Sequence, residues 1–154
     1  MNVWLFLHLA GVVLLLGNSF TAAFWKIRSD AAGDARLAYQ TAKNIMIADY
    51  IFTLPSIALI LISGHVLAAR GGYSVLEWNW LGLSYGLFAL SGVIWIAALL
   101  PVQMRMIRQG KISCERQTIT PAFRQASRIW NIFGTAATLT PLAAMVLMIW
   151  KPEF

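Results

Sequence analysis

Four long apolar runs constrain this chain more than any other feature of its sequence. They extend over about residues 3–25, 45–69, 81–101 and 129–150. Each run has about 20 residues or more, which at about 1.5 Å per residue is enough for a helix to cross a hydrocarbon core of about 30 Å. No segment alternates between apolar and polar residues over about 10 positions, as transmembrane strands do. The runs therefore predict four transmembrane helices.

The composition excludes a soluble domain. Charged residues make up 12% of the chain and hydrophobic residues 59%, whereas soluble domains carry about 25% charged residues. The first run also differs from a secretory signal peptide, because Met1-Asn2-Val3 carries no charged side chain and the run is too long. We predict an all-α, four-transmembrane-helix bundle that forms a single integral membrane domain over residues 1–154, with the lipid bilayer as its partner.

Positive charge is concentrated in two of the predicted connections. The segments 26–44 and 102–128 hold ten of the twelve lysine and arginine residues. Loops rich in these residues stay in the cytoplasm, so the pattern predicts an N-out/C-out topology in a bacterial inner membrane. This topology explains the net charge of +6 without nucleic acid as a partner.

The two histidines lie near the ends of the first two apolar runs. His8 follows the start of the first run by about five residues, and His65 precedes the end of the second by the same number. At about 1.5 Å per residue, both rings would lie roughly 7–8 Å below the outer boundary of the membrane. Polar residues at such a depth usually face the bundle interior, and we expect both histidines to do so.

Helical periodicity assigns each histidine to a stripe that includes a small residue. The first stripe comprises His8, Gly11, Leu15 and Asn18, and the second comprises Leu54, Ala58, Leu61 and His65. We predict that both stripes face the interior and that the small residues leave room there for a ligand.

Two imidazoles at one depth favour a planar cofactor between them. Our first hypothesis is haem b with His8 and His65 as its axial ligands. We expect Trp4, Gly11 and Ala58 to line the haem site. We expect Lys151 to pair with a haem propionate.

Copper is the alternative ligand. Met145 and Met148 lie in the outer half of the fourth helix, and thioether together with imidazole suits Cu(I). A third interpretation keeps these side chains structural. The histidines then bond a carbonyl or hydroxyl group of a neighbouring helix, and the methionines pack as apolar residues.

Other residues interrupt the apolar runs. Asp49 lies about one turn inside the second helix, and we expect it to pair with Lys43 or with an arginine of the third connection, or else to give access to protons. Pro55 and Pro141 each free one backbone carbonyl within their helices. The small, hydroxyl-rich segment 134–140 is expected to face the interior.

No motif of hydrolytic or phosphoryl-transfer chemistry is visible in the sequence. Cys114 is the only cysteine and forms neither a disulfide nor a metal-binding pattern. The sequence leaves enzymatic activity open, with a haem-dependent membrane oxidoreductase as the candidate.

Five segments resemble a family of bacterial four-helix integral membrane proteins of unknown function. They are WLFLHLAGVVLLLG at the start, LPSIALILISG in the second helix, W…LLPVQMRMI from Trp95 to Ile107, RIWNIFGTAA at the head of the fourth helix, and MIWKP at the end. The resemblance spans nearly the whole chain and implies a topology but no activity.

The chain is distantly similar to two further families. Similarity to the membrane protoporphyrinogen oxidases implies haem b at a first-helix histidine, and His8 and the pair Lys151-Pro152 match that family in kind. That family also uses a lysine on its third helix, and WNWLGLSYGLFALSG has none. Similarity to the copper-resistance inner-membrane family, which has a glycine after the second-helix run, implies copper uptake. His65, directly after Gly64, fits either family.

These observations predict a haem b protein that transfers single electrons near the periplasmic face, with a quinol, a porphyrin or a periplasmic acceptor as partner. One alternative function is copper handling. The other is a non-catalytic membrane subunit or assembly factor, in which the glycine face of the third helix, at Gly82 and Gly86, would contact a larger complex or a second copy of the chain.

Overall fold

The computed structural model describes residues 3–153 and consists of four long helices in that range. They are α1 (Val3–Ala32), α2 (Ala35–Arg70), α3 (Trp80–Glu115) and α4 (Pro121–Trp150). Each is long and apolar enough to cross a membrane, and residues 3–153 contain no strand. The predicted all-α, four-transmembrane-helix fold is confirmed, whereas the N-out/C-out orientation stays a prediction.

The helices extend well beyond the predicted spans at one end, so the prediction of loops over 26–44 and 102–128 is wrong. The chain turns instead within a few residues of Gly33, which has φ +65°, and again over residues 116–120. Asp34 begins α2 by accepting a hydrogen bond from the Leu37 amide at 2.7 Å, and Thr120 begins α4 by accepting one from the Phe123 amide at 3.3 Å. Such side-chain caps replace the bonds that the first amides of a helix lack, and they let charged segments stay helical.

Each central helix contains one π-helical turn just before a proline. The turns span Asp49–Thr53 in α2 and Trp95–Leu99 in α3, and the prolines are Pro55 and Pro101. A proline cannot donate a helical hydrogen bond and its ring crowds the preceding turn. The wider π turn accommodates the proline, and the helix continues beyond it. Such turns are frequent at functional sites.

Pro141 in α4 disrupts its helix in a different way. Its missing N–H frees the carbonyl of Ala137, as the sequence predicts. The hydroxyl of Ser91 in α3 donates to that carbonyl at 2.7 Å. The proline therefore creates a bond between two helices rather than an unpaired polar group.

The buried hydrophobic cluster lies mostly at the basic end, which we define as the helix ends formed by residues 26–44 and 102–128. Gly110 on α3 lets α2 approach closely, since a Cβ on Gly110 would lie 3.2 Å from the Cα of Tyr39. The buried cluster comprises Ala38, Ala42, Ile45, Leu99, Met106, Phe123, Ala126 and Trp130.

An ion pair within α1 is bonded to α4 through Ser127 at the basic end. Lys26, predicted as a loop charge, is only 2% exposed. Its Nζ donates to Asp30 Oδ1 at 2.6 Å and to Ser127 Oγ at 2.5 Å, and Ser127 Oγ donates to Asp30 Oδ2 at 3.0 Å. A buried ammonium needs such a complete set of partners, so the network fixes α1 against α4.

The helices separate into two pairs towards the other end of the bundle. Leu54–Arg70 of α2 packs on α1, and Trp80–Ile94 of α3 packs on α4. No Cα atom of Leu54–Arg70 lies within 8 Å of one in Trp80–Ile94. The two π turns lie where the basic end gives way to the separated pairs.

The native Cys114 provides a test of the predicted orientation, because it lies near the end of α3 at the basic end. We expect a membrane-impermeant maleimide to label Cys114 only after the cells are permeabilised. As the matched control, a Cys114→Ser, Leu76→Cys variant places the thiol on the opposite connection, where Leu76 is 95% exposed, and it should be labelled in intact cells. The reverse pattern would show that the basic end faces outward.

Candidate functional site

His8 lies in the interface between α1 and α2. It is 9% exposed and shares the buried side of α1 with Gly11 and Leu15, as predicted for this stripe. Its Nδ1 lies 3.2 Å from both the Ile60 carbonyl oxygen and Ser63 Oγ. Since Ser63 Oγ donates to the Leu59 carbonyl, both atoms accept from His8. Nδ1 therefore carries a proton and joins the two helices.

His65 faces away from His8. Leu54, Ala58, Leu61 and His65 are all exposed on the outer side of α2, so the prediction that this stripe faces the interior is wrong. The face of α2 that meets α1 carries Ser56 and Ser63 instead, both almost completely buried. Each serine hydroxyl donates to a carbonyl of its own helix, which lets these small side chains bring the two backbones together.

The close packing of α1 on α2 leaves no space for a haem between the two histidines. A Cβ on Gly11 would lie 2.9 Å from Ile60 Cγ1 and 3.1 Å from the Ser56 carbonyl oxygen. A Cβ on Gly64 would lie 3.0 Å from the His8 ring. His8 and His65 of one chain therefore do not fit as the two axial ligands of one haem. Haem b stays a prediction, but facing histidines no longer support it.

The remaining predicted ligands are dispersed. Trp4 contacts Arg70, whose guanidinium lies 5.9 Å from the ring centre, and Lys151 Nζ lies 5.3 Å from the ring centre of Trp80. Met145 and Met148 are half-buried on α4, which is the partner of α3 rather than of the His8 interface. Within residues 3–153, no three His, Cys, Asp or Glu side chains come together where they could hold a metal ion. Copper also stays a prediction.

A substitution at Gly11 tests the tight contact of α1 with α2. We expect Gly11→Ala to lower the unfolding free energy by about 1–3 kcal/mol, the usual cost of overpacking, because the new Cβ would meet the Ser56 backbone. Gly17→Ala is the matched control, since a Cβ there would meet nothing within 4 Å. The measurement is the thermal stability of each variant in detergent. Equal stability of both variants would contradict the contact.

The hydrogen-bond partners of Asp49 differ from the predicted ones. It pairs with neither Lys43 nor an arginine, and the ion pair found among residues 3–153 is Lys26–Asp30. Its Oδ1 instead accepts hydrogen bonds from Asn18 Nδ2 at 3.2 Å and from Thr53 Oγ1 at 2.9 Å. Uncharged donors from α1 and α2 therefore hold this carboxyl group in the middle of the bundle.

Asp49 lines a cavity of about 420 Å³ between all four helices. The first residue of each π turn, Asp49 in α2 and Trp95 in α3, reaches it, and the indole of Trp95 approaches the Asp49 carboxyl group. The segment 134–140 contributes Gly134, Thr135, Ala137, Thr138 and Leu139, which agrees with its predicted interior position. Most of the lining is apolar, with a few polar groups converging on it.

Gln103 lines the same cavity on the side nearer the basic end. It is 2% exposed, and its Oε1 accepts a hydrogen bond from Trp130 Nε1 at 3.1 Å. Its Nε2 is buried and has no hydrogen-bond partner among the described residues. An unpaired buried donor costs about 1–3 kcal/mol. Sequence reasoning missed Gln103, because a lone glutamine beside the predicted end of an apolar run is typical of a solvated helix end.

The fold and the polar groups within it define a multi-pass integral membrane protein with four helices. The chain belongs to the family described as Predicted integral membrane protein (DUF2269), whose sequence model matches residues 2–152. No curated protein and no solved structure matches the chain. The resemblance to a membrane family of unknown function is confirmed, whereas similarity to the protoporphyrinogen oxidase and copper-resistance families stays a prediction.

Proposed function

We propose that this protein binds, in its central cavity, a small amphipathic molecule taken from the bilayer. The observation that carries the proposal is the Asp49 carboxyl group in the wall of a mostly apolar cavity of about 420 Å³. Ligand sites usually have volumes of about 300–1,000 Å³ and combine apolar walls with a few polar groups that orient the ligand.

The position of Asp49 favours a binding role over a purely structural one. An ionisable residue inside a membrane segment is costly and typically marks a pathway or a ligand site. Asn18 and Thr53 supply hydrogen bonds but no positive charge. A bound molecule that donates a hydrogen bond would offset part of that cost.

The route into the cavity lies between α1 and α4. Phe20 and Ile27 on α1, and Leu139 on α4, line the cavity and are also exposed on the outside of the bundle. In a membrane this outer surface faces lipid chains, so a ligand can enter sideways with its polar head first. We therefore expect a molecule with a polar head and an apolar tail.

This function overlaps with part of what the sequence predicts. A quinol was an expected partner, and it combines a hydroxylated head with an apolar tail. Membership of a larger complex or of a homo-oligomer and location in a bacterial inner membrane stay predictions beside it. No catalytic role is assigned to any residue.

Filling the cavity provides the direct test. A side chain at Gly92 would enter the cavity without a clash, because Gly92 lines it and a Cβ there would meet nothing within 4 Å. We expect 4-dodecylphenol to raise the melting temperature of the wild-type protein in detergent, since a ligand at about 100 times its Kd adds about 2.7 kcal/mol. Gly92→Leu should abolish this rise.

Gly86→Leu is the matched control for Gly92→Leu. Gly86 lies on the same helix with equally open space around it, but it is exposed and does not line the cavity. This variant should keep the full stabilisation by the alkylphenol. An equal response of both leucine variants would contradict binding in the cavity.

Haem b is tested separately by absorption spectra of protein purified from haem-supplied cells. Because His65 faces away from His8, we expect His65→Ala to leave the oxidised and the dithionite-reduced spectra unchanged. A Soret band with sharp reduced α and β bands that disappears both in His8→Ala and in His65→Ala would contradict this expectation. Copper analysis of the same samples tests the alternative metal.

A further inference from the structure

A second groove runs along the outer surface of the first part of α4. It has a volume of about 340 Å³, and its lining consists of Pro121, Arg124, Gln125, Arg128, Ile129 and Ile132. Five of these residues are exposed and Ile129 is half-buried, so the groove is open to the surroundings of the bundle. It shares no lining residue with the central cavity.

Two arginines in this groove lack a carboxylate partner. Arg124 and Arg128 lie one helical turn apart, a spacing at which like charges repel each other. Arg124 also lies close to the N-terminal end of α4, where the helix dipole is positive. The ion pair found among residues 3–153 is Lys26–Asp30. The described part of the chain therefore leaves both guanidinium groups without an ionic partner.

Arg105 of α3 adds a third positive charge at the edge of the groove. Its Nη2 donates a hydrogen bond to Gln125 Oε1 at 3.2 Å, and Gln125 lines the groove. The α1 carboxyl group that reaches α4 is Asp30, which accepts from Ser127 Oγ at 3.0 Å but is already paired with Lys26. Three guanidinium groups from two helices thus border one groove, and an anion complements their charge.

The groove lies where the surface of α4 changes from charged to apolar. This helix has 30 residues, which at about 1.5 Å per residue make about 45 Å, close to the thickness of about 40–45 Å of a bilayer with its headgroups. Arg124 and Arg128 belong to the first eight residues of the helix, and the apolar run begins at Ile129. The arginines therefore lie at the level of the lipid headgroups, and Ile129 and Ile132 lie where the acyl chains begin.

We propose that this groove binds an anionic phospholipid of the surrounding bilayer. The phosphate accepts hydrogen bonds from Arg124 and Arg128, because a guanidinium group matches a phosphate with two parallel N–H donors. Arg105 attracts the same anion, and one acyl chain lies against Ile129 and Ile132. A soluble anion would use only the charged half of the groove, and a neutral lipid gains less from the arginines. The site is independent of the function proposed for the central cavity.

Native mass spectrometry of the full chain in detergent measures the preference for an anionic lipid. Dimyristoyl phosphatidylglycerol and dimyristoyl phosphatidylcholine have the same tails and differ in the net charge of the headgroup. At the usual contribution of a basic residue near an anionic lipid surface, two arginines correspond to a preference of about thirtyfold for the first phosphatidylglycerol bound. Equal affinity of the wild-type protein for both lipids would overturn the proposal.

Neutralising the two arginines locates the site. We expect the double variant Arg124→Gln, Arg128→Gln to lower the preference to about threefold or less. The matched control is Arg28→Gln, Arg36→Gln, which removes the same charge from exposed residues of the basic end that do not line the groove. The control should keep the full preference, and so should Gly92→Leu in the central cavity. An equal loss in both double variants would show that net charge rather than the groove selects the lipid.

A soluble headgroup distinguishes a lipid site from a site for free phosphate. Glycerol 3-phosphate carries the phosphate without the acyl chains, so at a hundredfold excess it should leave the bound phosphatidylglycerol in place. If it displaces the lipid from the wild-type protein, the apolar half of the groove contributes nothing and the lipid assignment is overturned.

Discussion

The bilayer requires that every backbone polar group be bonded within the protein, and the central site of this molecule depends on how the chain meets that requirement. Pro55 and Pro101 cannot donate to their helices, and each follows a π turn rather than a break in the helix. Asp49 and Trp95 are the first residues of these turns, and both reach the central cavity. A local backbone constraint thus positions the polar wall of the site.

Small residues decide how the remaining helix surfaces meet. Gly11, Ser56 and Ser63 bring α1 and α2 into backbone contact, which buries His8 and uses its Nδ1 for a bond between helices. The same contact closes the space that a haem would need. Van der Waals packing of this kind replaces the hydrophobic effect between helices in a membrane, since lipid chains are as apolar as the side chains they cover.

Two polar side chains in the wall of the central cavity, Asp49 and Gln103, differ in how completely the protein bonds them. Asp49 receives uncharged donors from Asn18 and Thr53, and Gln103 keeps one donor unpaired. Buried polar groups are normally bonded, so the unpaired Gln103 Nε2 is an exception in this part of the bundle. Phe20 and Ile27 on α1 and Leu139 on α4 line this cavity and are also exposed on the outside of the bundle.

The sequence by itself determined the four spans, the basic end and which residues share a helix face with His8, because run length, charge position and helical period are properties of the chain alone. Only the tertiary structure decided that His65 faces outward, that Asp49 bonds Asn18 rather than a cation, and that Gln103 Nε2 is buried without a partner. The physical reason is that both sides of a transmembrane helix meet an apolar environment. The helical period shows which residues share a face but not which face is turned inward. That choice depends on close contacts between residues far apart in the chain.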